Sequence, residues 1–278
     1  MHTNTLLVAS IQESTGKTAV TLALGRLAQE RGLDVGYMKP KGTRLQSNVG
    51  KTLDEDPMLA RELLDLDCEM HQMEPIVYSP TFVDGAIRGQ EDPEELGALI
   101  EEYFEQLAAN CGLMLVEGGG SWTTGGIVDL TDVDIASRLD ADVLLVANYE
   151  NPGDLDDVVA AAEAFGDRLV GVLFNGVNDA AFDDLEQQGV PFLEGRGIPV
   201  LGVIPRERDL AGVTVEDLAA ELGADVAVEG DNGGYVERFL VGAMGGDTAL
   251  RYFRRTKNAA VITGGDRAEI ITAALEAP

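Results

Sequence analysis

Lysine is scarce in this 278-residue chain: 5 lysines stand beside 15 arginines, while aspartate and glutamate total 49, for a net charge of −29 and a pI near 4.2. So acidic a surface repels nucleic acid and anionic membranes, which excludes both as default partners. Cysteine is nearly absent. Cys68 and Cys111 have no CxxC spacing, which excludes a disulfide scaffold and fits a reducing cytosol. The two histidines, His2 and His71, form no metal-ligand cluster in the sequence. No apolar run approaches the ~18 residues of a membrane helix, and Leu6–Ser10 is too short for the apolar part of a signal peptide. A soluble, cytoplasmic protein is expected.

What is present is enough apolar residue, 45%, to bury a core. High acid with little lysine also suits a halophilic protein, whose dense carboxylates keep the surface hydrated in concentrated salt. The surviving lysines are unevenly placed: Lys17, Lys39, Lys41 and Lys51 lie in the first 51 residues, and only Lys257 lies elsewhere.

Short apolar runs alternate with helical stretches. The runs are "NTLLVAS", "DVGYMKP", "GLMLVEGGG", "DVLLVAN", "RLVGVLFNG" and "IPVLGVIP". Their continuous apolar character predicts parallel strands covered on both faces. Helices are predicted at Lys17–Arg31, Pro57–Leu66, Pro93–Asn110, Asp154–Phe165 and Asp183–Gln188. The rhythm predicts an α/β fold, a doubly wound and mostly parallel sheet, over residues 1–210. A smaller α/β module is predicted for residues 211–278: a helix at Val215–Leu222, an exposed loop at "GDNGG", a helix near Thr248–Arg255, a strand "AAVITGG" and a final helix from Asp266.

The stretch "SIQESTGKT" ends in Gly16-Lys17-Thr18 between a buried strand and a helix. That is the arrangement of a phosphate-binding loop: backbone N–H groups and a helix N-terminus face the anion, the lysine adds charge, and the threonine hydroxyl reaches Mg²⁺. The glycine that usually opens such a loop is replaced by Ile11. "GYMKP" places Lys39 and Lys41 at a strand's carboxyl end, the edge where open α/β sheets bind ligands. "LMLVEGGG" puts Glu117 at a similar edge before Gly118, suited to Mg²⁺ and to close backbone approach. Asp54 and Asp56 in "DEDP" are either metal candidates or helix caps. "TGGDRAE" is either a second anion site or a structural turn.

Taken in order, the N-terminal GKT, "GYMKP", "DEDP", "VEGGG", "VLFNGV" and "PVLGVIP" resemble dethiobiotin synthetase and the cobyrinic acid amide-forming synthetases over residues 1–210. The nearest variant is the dethiobiotin-synthetase-like N-terminal domain of the phosphotransacetylase family, in which a P-loop domain precedes a DRTGG domain. "VERFLVGAM" and "ALRYFRRTKNAAVITGGDRAEI" resemble the latter. The resemblance implies a P-loop NTPase-type fold that binds ATP and Mg²⁺ through Gly16, Lys17, Thr18 and Ala19. It assigns Lys39 to an anionic substrate group, Thr18, Asp54 or Asp56 and Glu117 to the metal, and Gly118 and Asn175 to the nucleotide, with Asn175 reading the base. Lys17 and Lys39 would be the catalytic pair. Loops of that family read close to "GTDTEVGKT", so the absent glycine at Ile11 is a family trait. The departures are Ser10 for the leading Gly and Ser14 for a Glu, with Glu13 one place earlier.

Three functions follow as expectations: a regulatory nucleotide-binding protein acting on the DRTGG module, an ATP-dependent ligase activating a carboxylate or carbamate, or a non-catalytic assembly subunit. The expected partners are a nucleotide, a small anionic ligand and a second copy of the chain in a homodimer. A DRTGG domain ordinarily runs past the position of Pro278, so the resemblance implies a module that is incomplete or completed by a partner. The 278 residues contain no phosphotransacetylase catalytic domain.

Overall fold

The computed structural model describes residues 3–43, 45–48, 51–207, 212–228 and 234–277. His2, the expected boundary at 210/211 and most of the "GDNGG" loop lie outside them. Two units are present, Met1–Pro205 and Arg206–Pro278.

The first unit is built on six strands, β1 (Asn4–Ser10), β2 (Val35–Met38), β3 (Leu113–Glu117), β4 (Asp142–Ala147), β5 (Leu169–Val177) and β6 (Val200–Pro205). All neighbours are parallel, in the order β6-β5-β4-β1-β3-β2. The chain crosses from β1 to the edge strand β2, returns to β3 beside β1, and then runs outward on the other side through β4, β5 and β6, a doubly wound α/β arrangement.

Alternate side chains of one strand feed two different layers. Leu7 and Ala9 face a core with helices α3 (Pro93–Ala108), α4 (Asp132–Arg138) and α5 (Leu155–Phe165), through Ile100, Ile135, Val158 and Ala161. Val8 faces the other side and packs with Val20 of α1 (Lys17–Glu30). Farther toward β2, Tyr37 and Leu115 meet Leu22 of α1 and Ala60 of α2 (Glu55–Leu63). Leu7, Val8, Leu115 and Val116 are fully buried, and such a side chain contributes about 1.5–3 kcal/mol of burial. That is why these strands read as unbroken apolar runs.

Local signals set the helix starts. Asp54 caps α2 by accepting from the Asp56 amide at 3.0 Å, so this helix starts at Glu55, earlier than the Pro57 of the sequence pattern. Thr131 and Asp134 cap α4 reciprocally. The helix expected at Asp183–Gln188 is the middle of a longer run: helical turns span Asp179–Asp184, one wide turn spans Leu185–Gly189, and helix resumes over Val190–Gly195. Before α2, Leu45–Asn48 pairs antiparallel with Lys51–Asp54.

In the second unit, helix α6 (Val215–Leu222) precedes two parallel strands, β7 (Arg238–Val241) and β8 (Ala259–Ile262), with α7 (Gly246–Phe253) and α8 (Ala268–Leu275). Ala249, Phe253, Ile270 and Ala273 form its small core, with Leu240 and Val261 packed on it. Among the described residues no helix is long and apolar enough to cross a membrane.

Candidate functional site

The carboxyl ends of β1, β2 and β3 lie side by side, with Val8 paired to Glu117 and Met38 to Val116. Whatever follows these strands therefore meets at one edge. A cleft of about 830 Å³ opens there, lined by Ser14, Gly16, Lys17, Thr18, Ala19, Lys39, Asp56 and Glu117, with Leu22, Met58, Leu59 and Leu63 on one wall.

The loop after β1 turns through Ser14 at φ 59° and Gly16 at φ 83°, both left-handed. Gly16 is required twice over: its φ strains any L side chain, and a Cβ would collide with the Asn175 amide. That amide donates from Nδ2 to the Thr15 carbonyl at 2.7 Å, tying the loop to β5. Helix α1 then starts at Lys17 with no side-chain cap and no acid in its first turn. By contrast α2, α3 and α4 all begin with side-chain caps and acidic first turns. In so acidic a chain, one bare helix start keeps its N–H groups and partial positive charge for an outside anion.

Lys17 is almost fully buried. Its Nζ donates to Ser10 Oγ at 3.2 Å and to the Gly119 carbonyl. Burial lowers its pKa, against the opposing pull of Asp132 and Glu117. Thr18 Oγ1 donates to Glu117 Oε1 at 2.8 Å, and the Tyr37 hydroxyl donates to Glu117 Oε2 at 2.9 Å. Glu117 is fully buried, and desolvation holds its carboxyl up to about 7 although Lys39 and Lys17 favour the charged form.

Lys39 bridges the acids. Its Nζ lies 2.9 Å from Asp54 Oδ2 and 3.8 Å from Glu117 Oε1, and it also pairs with Asp56. Burial works to lower its pKa, but Glu117, Asp56 and Asp54 outweigh burial and raise it. The structure thus gathers Lys17, Thr18, Lys39, Asp54, Asp56 and Glu117 at one edge, while Asn175 reaches the same loop from the β5 side. Gly118 continues β3, where its amide donates to the Val8 carbonyl at 3.0 Å. Among the described residues no group of three or more His, Cys, Asp or Glu is arranged to hold a metal ion by itself.

Three further residues belong to this network, none of them singled out in the sequence. Tyr37 reads in sequence as a strand residue. Glu74 accepts the Asp54 amide at 3.1 Å through Oε2, and burial raises it to about 7. Asp132 opens α4, and only the Thr131–Asp134 cap pattern marks its neighbourhood. Lys41 differs from the ligand-facing expectation: it points inward, to the Thr124 carbonyl at 2.6 Å, the Leu130 carbonyl and Asp132 Oδ1 at 3.1 Å.

Comparison with known proteins agrees with this arrangement. The family described as AAA domain (AAA_26) matches residues 4–214, and the DRTGG domain matches residues 217–278. Phosphate acetyltransferase of Haemophilus influenzae is 26% identical, the match covering 97% of this chain and 40% of that protein. Cobyric acid synthase of Rhizobium johnstonii is 30% identical over 73% of this chain and 46% of its own length. ATP-dependent dethiobiotin synthetase BioD of Methanococcus vannielii is 23% identical over 73% of this chain and 94% of that protein. The chain spans about two fifths of the length of the phosphate acetyltransferases it matches, corresponding to their N-terminal part. With a phosphate-type loop after β1, a parallel sheet around it and both family matches in register with the motifs, the chain belongs to the AAA domain family, carrying a dethiobiotin-synthetase-like P-loop domain followed by a DRTGG domain.

Proposed function

We propose that the cleft binds ATP together with Mg²⁺, and that nucleotide binding or hydrolysis regulates the DRTGG module. The observation that carries this reading is the bare, acid-free start of α1 at Gly16–Ala19, with Lys17 and Thr18 in the same cleft. Phosphate would lie against the first-turn N–H groups and the Lys17 ammonium. Asn175 stands near the loop for the base side.

The oxygen donors suit Mg²⁺: the Thr18 hydroxyl lies 2.8 Å from Glu117, and Asp54 and Asp56 are grouped around Lys39. Mg²⁺ commonly takes one or two protein oxygens and completes its shell with phosphate and water, so a site without a full protein cage fits it. Bound there it would neutralise phosphate charge.

A ligase reading is the alternative, favoured by Lys39 lining the same cleft beside the Leu22, Met58, Leu59 and Leu63 wall, with room for a substrate alongside the nucleotide. Against it, Lys39 is already neutralised by Asp54 and Asp56. Titrating ATP in high-salt buffer, then assaying phosphate release with diaminopelargonate and bicarbonate, separates the two. Binding without acid-dependent release supports the regulator. Release that depends on the acid supports the ligase, and no ATP binding removes both.

A halophilic protein completes the proposal, on the charge of −29 and the scarcity of lysine. Lowering KCl from molar to about 0.1 M should unfold the protein as screening is lost, and a circular dichroism melt unchanged by salt would refute that part.

A further inference from the structure

Lys41 and Asp132 lie behind the cleft and do not line it. Lys41 is 1% exposed and Asp132 is fully buried. A pair this deeply buried recovers its desolvation cost only with good geometry, and pairs of apolar residues often serve stability as well. Its contacts suggest another task, because they converge on a single turn. Lys41 Nζ holds the Thr124 and Leu130 carbonyls and Asp132 Oδ1. The same Oδ1 accepts the Gly119 amide at 3.3 Å. The carbonyl of Gly119, in turn, accepts from Lys17 Nζ.

Gly119 is therefore gripped at both ends, its amide by Asp132 and its carbonyl by the lysine of the phosphate loop. The other oxygen of Asp132, Oδ2, is buried with no hydrogen-bond partner among the described residues. It stands where a Cβ on Gly118 would sit, so the carboxylate leaves no space for a side chain at that position. Two lysines two residues apart thus divide the work at the end of β2. Lys39 gathers the acids of the cleft, and Lys41 braces the turn opposite the loop.

We propose that Lys41 and Asp132 are positioning residues of the phosphate site: by fixing the Gly119 amide they fix the carbonyl that holds the Lys17 ammonium in the loop. The effect on affinity rests on the ATP-binding reading of the cleft, while the effect on Lys17 does not.

The test uses the double variant Lys41→Met/Asp132→Asn, which removes both charges together. With 5 lysines in the whole chain, acylation by N-hydroxysuccinimidyl acetate is mapped peptide by peptide. The folded, nucleotide-free variant is expected to acylate at Lys17 about tenfold faster than wild type, and to bind ATP about tenfold more weakly, the usual scale for losing a group that orients a ligand. Equal Lys17 rates in folded variant and wild type overturn the proposal, as does a lowered thermal midpoint with unchanged ATP affinity, which is the signature of a pure stabiliser. Where wild type binds no ATP, the nucleotide reading fails and the Lys17 rate alone decides. Asp132→Asn alone, expected to move both readouts in the same direction, serves if the double variant does not fold.

Discussion

Two junctions of the molecule, each passing from a strand through a glycine-containing turn into a helix, have taken opposite courses. After β1, the turn enters the 14-residue α1 with Gly16 at its start, no acid in the first turn and Lys17 directed to the loop. After β8, the "TGGDRAE" turn enters the 8-residue α8 with Glu269 in the first turn. There the cation is spent internally: Arg267 Nε donates to Glu269 Oε1 at 2.7 Å and Nη2 donates to the Met244 carbonyl at 2.8 Å. A turn can hold an anion or hold itself together with the same parts. What decides is whether the cation is committed to a neighbouring acid and whether acids crowd the helix start.

The largest expected effect falls on the cations. Lys17→Ala should weaken ATP binding about 100-fold, the scale of losing a charge-assisted hydrogen bond in a buried site, whereas Arg267→Ala should leave it unchanged. Titration with a fluorescent ATP analogue reads both, and an equal loss in the two variants would erase the distinction between the junctions.

The glycines come next. Gly16→Ala meets both a left-handed backbone and the Asn175 amide, and should cost about 1–3 kcal/mol of stability. A Cβ at Gly265 meets nothing within 4 Å, so Gly265→Ala should stay within about 0.5 kcal/mol. Urea unfolding of the two variants compares them directly. A cost at Gly265 matching that at Gly16 would mean the second turn is as tightly specified as the first.

The smallest effect concerns pH, and among the described residues only the first junction has buried carboxyls beside it. Burial raises Glu117 and Glu74 from 4.5 to about 7. A carboxyl whose pKa is higher in the folded state contributes stability in full below its unfolded value, and that contribution is lost as pH rises through about 7. The thermal midpoint should therefore decline from about pH 5 to about pH 8, and Glu117→Gln should flatten part of that slope. Identical slopes in wild type and variant would show that Glu117 does not titrate in this window.

The sheet was legible because its strands are buried on both faces and so appear as apolar runs: "NTLLVAS" corresponds to β1 residue for residue. The phosphate loop was legible because backbone geometry there demands particular residues in a fixed order. Tyr37, Glu74 and Asp132 were not, since each is defined by a partner far along the chain, as Asp132 is by Lys41 and Gly119. Lys41 shows the limit most sharply. Its type and its strand-end position matched those of Lys39, and residues two apart on a strand share a face, but Lys41 lies past the end of β2, where Lys41–Gly42 pairs with Ile76–Val77 and its side chain meets Asp132. No spacing in the sequence states where the acid that meets it will come from.

The strand order has a consequence for how the protein is made. Strand β1, which carries the phosphate loop, is made before its two neighbours in the sheet, which begin only at Leu113 and Asp142. Long-range parallel pairing of this kind forms slowly, so more than 100 residues must be synthesised before β1 gains its first partner. During that interval "TLLVA" is an unpaired apolar strand. Until residue 147, where β4 ends, has emerged, β1 lacks its second neighbour in the sheet, and an unpaired apolar strand of this kind is open to aggregation.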